Sequence, residues 1–143
     1  MKLKAFFKVR LLFLSIFLLP SHALGQNNTE PLNMGPIINS SARDAEPTFT
    51  TDGLTMYFNC FERKGKVGSD ICVTHRQADS WSEPEIVRAV STDEYLEVEP
   101  LLSPDGNQLF IMSNRPGGLG GTDIWVSDLV GGEWTRPRNL GAP

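Results

Sequence analysis

A repeat with a period of 53 residues constrains this chain more than any other feature of its sequence. Glu46-Pro47 returns as Glu99-Pro100, and Asp52-Gly53 as Asp105-Gly106. Gly65 and Gly68 return as Gly118 and Gly121, Asp70-Ile71 as Asp123-Ile124, Val73 as Val126, Trp81 as Trp134 and Pro84 as Pro137. All of these identities share one offset with no gap. Apolar positions keep step between them, Met56-Tyr57-Phe58 lying over Leu109-Phe110-Ile111. At twice the period, Asn33-Met34-Gly35 matches Asn139-Leu140-Gly141.

Within each unit the residues predict four short strands and no helix. The first is Pro47 to Thr50, matched by Pro100 to Ser103, with proline near the start, where a missing N–H harms a ladder least. Asp-Gly then makes a tight turn, since glycine accepts the positive φ that hairpins need. The second strand, Leu54 to Cys60 and again Gln108 to Ser113, is rich in aromatic and aliphatic side chains. Glycine-containing loops at 61–69 and 114–122 lead to third strands at Asp70–Thr74 and Asp123–Ser127. Fourth strands follow the tryptophans at Ser82–Val87 and Thr135–Leu140. Four antiparallel strands per repeat is the pattern of a propeller blade. The expected fold is therefore all-β: two four-stranded antiparallel blades forming an incomplete propeller, with units at 33–85 and 86–138 and residues 139–143 beginning a third.

The same residues carry a resemblance. Ser103-Pro104-Asp105-Gly106 before an apolar strand, then Ser113-Asn114-Arg115, then Gly121-Thr122-Asp123-Ile124-Trp125-Val126, resembles the Pro-Asp, WD-like propeller repeat of TolB-type periplasmic proteins. It spans residues 33–143. The first unit departs from the pattern, with Thr50-Thr51 in place of Ser-Pro and Phe61-Glu62-Arg63 in place of the Asn-Arg-Pro-Gly loop. The resemblance implies a non-catalytic binding or scaffold module of the cell envelope. It also leaves open a fragment of a larger propeller-containing enzyme, a peptidase or glycoside-active protein, whose catalytic residues lie elsewhere.

Residues 1–25 read as an export signal rather than as fold. Lys2, Lys4, Lys8 and Arg10 precede the apolar run Leu11–Leu19, Pro20 breaks that run, and Ala23-Leu24-Gly25 supplies small residues for cleavage between Gly25 and Gln26, with cleavage after Ala23 as the alternative. The run is far shorter than the ~20 residues that span a bilayer, so no stable membrane anchor is expected. Residues 26–32 are polar and read as a disordered lead-in. The expected location is periplasmic or secreted. Removing the signal takes four of the 13 basic residues and none of the 17 acidic ones, leaving a net charge of −8. Such a surface repels phosphate backbones, which argues against nucleic acid as a partner.

Chemistry-bearing residues are few. His75 is the sole histidine after the signal, and it reads as a surface residue. Cys60, Cys72 and His75 lack the paired spacing of a zinc site. No nucleophile stands beside a base, so no catalytic residue, metal or cofactor is expected. Glu46, Glu99, Asp70 and Asp123 recur once per unit and read as structural. The aspartates are expected to accept backbone N–H bonds from the preceding loop, and the glutamates to tie adjacent blades. Trp81 and Trp134 read as packing between blades. The run Gly117–Gly121 reads as a flexible hairpin loop.

Reflection of the first hairpin about Lys66 sets Cys60 opposite Cys72, and an exported chain meets an oxidising compartment. Ser113 and Trp125 hold the same places in the second unit, so bridge and free thiols both stay open. The partner-facing surface is expected on the loops 61–69, 88–97 and 114–122, with Arg63, Tyr95, Asn114 and Arg115 as candidate contacts. Other blades, envelope proteins or further copies of this chain are the expected partners. Two blades alone fall short of the about four to eight of a closed propeller, so association or loose folding is expected of the isolated chain.

Overall fold

The computed structural model describes residues 30–62 and 68–142. The leader with its Gly25–Gln26 junction, residues 26–29 of the lead-in, Arg63 and Pro143 lie outside the described residues. Two antiparallel sheets follow in chain order. The first contains β1 (Asp44–Phe49), β2 (Thr55–Phe61), β3 (Ser69–His75) and β4 (Glu85–Ile86), hydrogen-bonded in sequence order. The second contains β5 (Glu97–Leu102), β6 (Gln108–Ser113), β7 (Asp123–Val130), β8 (Glu133–Trp134) and β9 (Arg138–Asn139), with both β8 and β9 on β7. No helix occurs among the described residues. The fold is all-β, two blades of an open propeller.

The sequence period is reproduced as strand register. Thr48 pairs with Tyr57 as Leu101 pairs with Phe110, and Cys72 pairs with Ile86 as Trp125 pairs with Asn139. Even the isolated bridge between Arg76 and Trp81 recurs, as the Leu129–Trp134 pair of β7 and β8. Asn139 therefore belongs to the fourth strand of the second sheet, and that sheet ends after it rather than before it. Asn33 and Asn139 each accept a hydrogen bond on Oδ1 from the N–H two residues on, Gly35 and Gly141, both at 2.8 Å.

Strand ends differ from expectation where the backbone does something local. The first strands begin three residues earlier, at Asp44 and Glu97, because Glu-Pro sits inside a β-bulge rather than at a strand start. Glu46 and Glu99 take φ of 56° and 55° there, a left-handed conformation uncommon outside glycine. The proline that follows has no N–H to give, so the unpaired bulge position suits it. The fourth strands shrink to two residues each.

The Asp-Gly turns are built alike. Asp52 Oδ1 accepts from Thr50 Oγ1 (2.6 Å) and Leu54 N (2.9 Å), and Gly53 takes φ 68°. Asp105 Oδ1 accepts from Ser103 Oγ and from Asn107 N (3.1 Å), and Gly106 takes φ 73°. The Thr50 and Ser103 hydroxyls, and then the backbone N–H groups, hold both carboxyls below the ordinary aspartate range. A depressed carboxyl stabilises the fold above its unfolded pKa, and that contribution is lost as pH falls through the folded value. Asp52→Asn with Asp105→Asn should therefore flatten the acid limb of the melting-temperature profile at and below the usual aspartate pKa. An unchanged limb would refute the assignment.

The blades stack face to face. Ile71 of the first blade packs with Leu102, Leu109, Ile111 and Trp125 of the second, while Tyr57, Val73 and Trp134 close the edge. Burying this apolar face contributes roughly 25 cal/mol per Å². Polar ties fix the stack laterally: Trp134 Nε1 donates to the Tyr57 hydroxyl (3.1 Å), Leu102 N to Thr48 Oγ1 (3.2 Å) and Ser69 Oγ to the Glu97 carbonyl (2.9 Å). A second cluster, Ile38, Met56, Phe58, Trp81 and the cysteine pair, lies on the opposite face of the first blade. Cys60 and Cys72 form a disulfide with Cα atoms 5.8 Å apart. The hairpin is centred one residue earlier than its reflection about Lys66 implies, since Cys60 faces Asp70 and Cys72 faces Phe58. The bridge is therefore diagonal.

Candidate functional site

The linker between the blades and the loop after β6 enclose a cleft of about 780 Å³. Its walls come from 88–95, from 115–117 and from the end of the second blade at 136–139, with Trp125 between them. Two of the three loops expected to share a face, 88–97 and 114–122, do meet here.

One wall is held by a buried ion pair. Glu97 opens β5, is fully buried, and its Oε1 lies 2.9 Å from the Arg115 guanidinium, itself 9% exposed. Thr92 donates to the same carboxylate twice, from N (2.9 Å) and Oγ1 (3.1 Å), and Ser113 Oγ donates at 3.3 Å. Arg115 also donates to the Val90 carbonyl and to Ser113 Oγ, and its Cζ stands 5.5 Å from the Trp125 ring centroid. Burial pushes the Glu97 carboxyl above its usual range, against the opposing pull of Thr92 and Arg115. Arg115, expected to face a partner, is instead a strut inside the wall. Asn114 is also used within the fold, its Oδ1 accepting from Leu96 N (2.8 Å). Of the residues expected to face a partner, Tyr95 lines the cleft.

The glycine loop is fastened rather than free. Leu119 N and Gly120 N donate to Asp123 Oδ2 at 2.9 and 3.0 Å. A Cβ on Gly118 would run into that carboxylate, and one on Gly117 would touch Trp125 at 3.7 Å. Glycine suits Gly118 because the Asp123 carboxylate takes the space of a Cβ, and it suits Gly117 because the backbone there takes φ 97°. Asp70, the counterpart of Asp123, is buried.

Other recurring residues sit in the frame. Asn59 links the two bulges, donating to Glu46 Oε2 (2.6 Å) and accepting from Glu99 N (3.2 Å). The tie across the blades thus runs through the Glu99 backbone. Trp134 packs between blades, edge-on to Tyr57 at 5.8 Å, whereas Trp81 packs on the far face of the first blade with Arg76 over its ring. His75 is exposed and shares a hydrogen bond with Thr55 Oγ1 (3.1 Å). No grouping of three His, Cys, Asp or Glu side chains suited to a metal occurs among the described residues.

Two residues that sequence reasoning passed over complete the cleft. Arg136 lines it and makes no ion pair or hydrogen bond among the described residues. Asn139 lines it too, and its Nδ2 is buried without a hydrogen-bond partner, which leaves a desolvated donor uncompensated. Neither recurs at the 53-residue offset (Glu83 and Ile86 hold their places), and the match of Asn139 to Asn33 at twice the period marked it as the start of a repeat rather than as a site residue. A second cleft of about 650 Å³ lies along the Asp-Gly turns, but its aromatic hydroxyl and imidazole are already bonded to Trp134 and Thr55.

Among solved structures, TolB from Acinetobacter baumannii aligns with a TM-score of 0.44 at 20% identity. The alignment covers 64% of this chain and 20% of that one. No family model and no curated protein matches the sequence. The strand order and register of the two sheets are what mark them as blades.

Proposed function

We propose that the chain is a non-catalytic, TolB-like β-propeller module of the bacterial cell envelope, exported to the periplasm or beyond, which presents the 88–95/115–117 cleft to a partner. The make-up of that cleft carries the reading. It offers guanidinium, aromatic and proline surfaces, while its serine and threonine hydroxyls serve the fold: Ser91 Oγ accepts from Ile71 N (2.9 Å), and Thr92 is spent on Glu97. Among the described residues Glu94 is the one carboxylate lining it, whereas acid–base chemistry on a bound substrate needs groups that converge with tuned environments. The export reading draws support from the leader pattern and from the disulfide, since such bridges persist in oxidising compartments.

A photo-crosslinking residue in place of Tyr95, expressed in intact cells, should trap a discrete envelope partner, whereas the same group at Asp52 should not. Purified protein should show background rates on ester, peptide and glycoside substrates. Turnover that follows the protein through purification and disappears with Glu94→Gln would overturn the reading.

A further inference from the structure

We infer that the chain associates head to tail with further copies of itself, the outer face of its second blade seating on the outer face of the first blade of the next copy. None of the residues involved lines the 88–95/115–117 cleft, so the inference goes beyond the proposed function and does not depend on it. The interface between the two blades supplies the pattern, since stacked repeats meet their neighbours alike. Toward the second blade the first presents Thr48, Tyr57, Asn59 and Ile71. Ile71 enters the cluster of Leu102, Leu109 and Ile111, and Tyr57 meets the Trp134 ring edge-on. Thr48 and Asn59 accept from Leu102 N and Glu99 N. One period on, the second blade has Leu101, Phe110, Met112 and Ile124 at those four places. Leu101 and Ile124 are more than half exposed. The two polar ties have become apolar side chains, so this face gains most by being covered.

The receiving surface is on the same chain. Leu102, Leu109 and Ile111 have Phe49, Met56 and Phe58 as counterparts in the first blade, and Trp134 has Trp81. Ile38 N donates to the Gly35 carbonyl (3.2 Å) as Val90 N does to that of Val87 (3.1 Å), so Ile38 stands where Val90 stands in the stack. Ile38, Met56 and Phe58, with Met34 and Pro47, line a hollow of about 70 Å³. This is the place that Ile71 fills one blade later. Ile124 is thus a projecting side chain without a seat, and the hollow is a seat without a side chain. Phe110 would likewise meet Trp81, beside which the exposed Phe49 lies at 6.0 Å. The two faces differ, so the contact is heterologous, and copies whose rotation closes form a ring. The about four to eight blades of a closed propeller correspond to roughly two to four copies. Where copies join, Asn33-Met34-Gly35 of the incoming chain matches Asn139-Leu140-Gly141 of the chain it meets, and both claim the strip beside β7. The incoming segment yields, because Asn33 bonds to Gly35 and Asn39 of its own turn whereas Asn139 is paired in β9 with Trp125.

Sedimentation velocity of the purified chain over a range of concentrations tests this, with near-UV circular dichroism to follow folding. Wild type should run as a discrete assembly of more than one copy. Ile124→Glu, on the outer face of the second blade, and Phe49→Glu, on that of the first, should each weaken association by at least about tenfold, since each puts a charge into an apolar contact. Each variant keeps one intact face, so a one-to-one mixture should form a dimer that neither forms alone. Ile124→Leu should assemble as wild type does. Where a glutamate alters the near-UV spectrum, Ile124→Ser and Phe49→Ser repeat the comparison with no new charge. A wild-type chain that stays monomeric at every concentration overturns the inference and leaves both faces to other proteins. Loss of assembly in Ile124→Glu with none in Phe49→Glu also overturns it, because that is the mark of a two-fold contact between second blades. A mixture of folded variants that stays monomeric does the same. Crosslinking from position 95 reads the cleft separately, so failure here leaves the module reading standing.

Discussion

Glu97→Ala should destabilise the fold by about 3–5 kcal/mol, the usual loss when one partner of a buried ion pair is removed. The substitution leaves Arg115, 9% exposed, without its carboxylate, and Thr92 N–H without its acceptor. For a domain of this size the melting temperature should fall by at least roughly 10 °C. The alternative is that the pair is neutral to stability, its attraction offset by desolvation. Replacing both partners, Glu97→Ala with Arg115→Met, separates the two, because removing both charges together should restore much of what the single change loses. The pH dependence carries a sign of its own. Burial raises the Glu97 carboxyl, so its contribution is fully present below the ordinary glutamate pKa and is lost as pH rises through the folded value. Wild type should therefore gain stability relative to Glu97→Gln as the solution is acidified from neutral to that range, opposite in direction to the Asp52 and Asp105 turns. Urea melts of the two proteins across that interval decide the matter, and parallel profiles would refute it.

What the sequence disclosed is set by what repeats. Glu46/Glu99, Asp52/Asp105 and Trp81/Trp134 recur because each blade needs its bulge, its turn and its packing side chain once. An exact period therefore reports architecture. The cleft is assembled once, from residues whose counterparts differ: Glu97 replaces Asp44, Arg115 replaces Glu62, and Asn139 replaces Ile86. Its charge pairing depends on a linker turn that brings Thr92 to Glu97 and on a loop that folds Arg115 back toward Val90. Neither leaves a periodic trace. Arg115 read as partner-facing because it lies in a loop displayed by the scaffold, and only the burial of Glu97 shows otherwise. The bulge was hidden for a related reason: Glu-Pro looks like a strand start until the left-handed φ at Glu46 and Glu99 is seen. A signal was present in retrospect, since two successive residues poorly suited to a ladder recurred at one place.

Reducing the Cys60–Cys72 disulfide should lower stability by about 2–3 kcal/mol, from the constraint that a closed loop of this length removes from the unfolded chain. The bridge spans a sequence separation of 12, and both cysteines are buried against Phe58 and Trp81. As free thiols they remain small and apolar, so the native packing is nearly kept and the effect falls mainly on the unfolded state. Chemical denaturation of one sample with and without reductant tests this without any mutation. Two free thiols in denatured, unreduced protein would rule the bridge out. The loss should also be local. The second blade has Ser113 and Trp125 in these places and is held by Glu97–Arg115 and by Trp134 on Tyr57. The bridge ties β2 to β3 on the face of the first blade turned away from that stack. Hydrogen exchange after reduction should therefore quicken in β2 and β3 while β6 and β7 keep their protection, because only the first hairpin has lost a covalent tie. Uniform acceleration across both blades would instead show that the two sheets open as one unit and that the bridge acts through the whole stack.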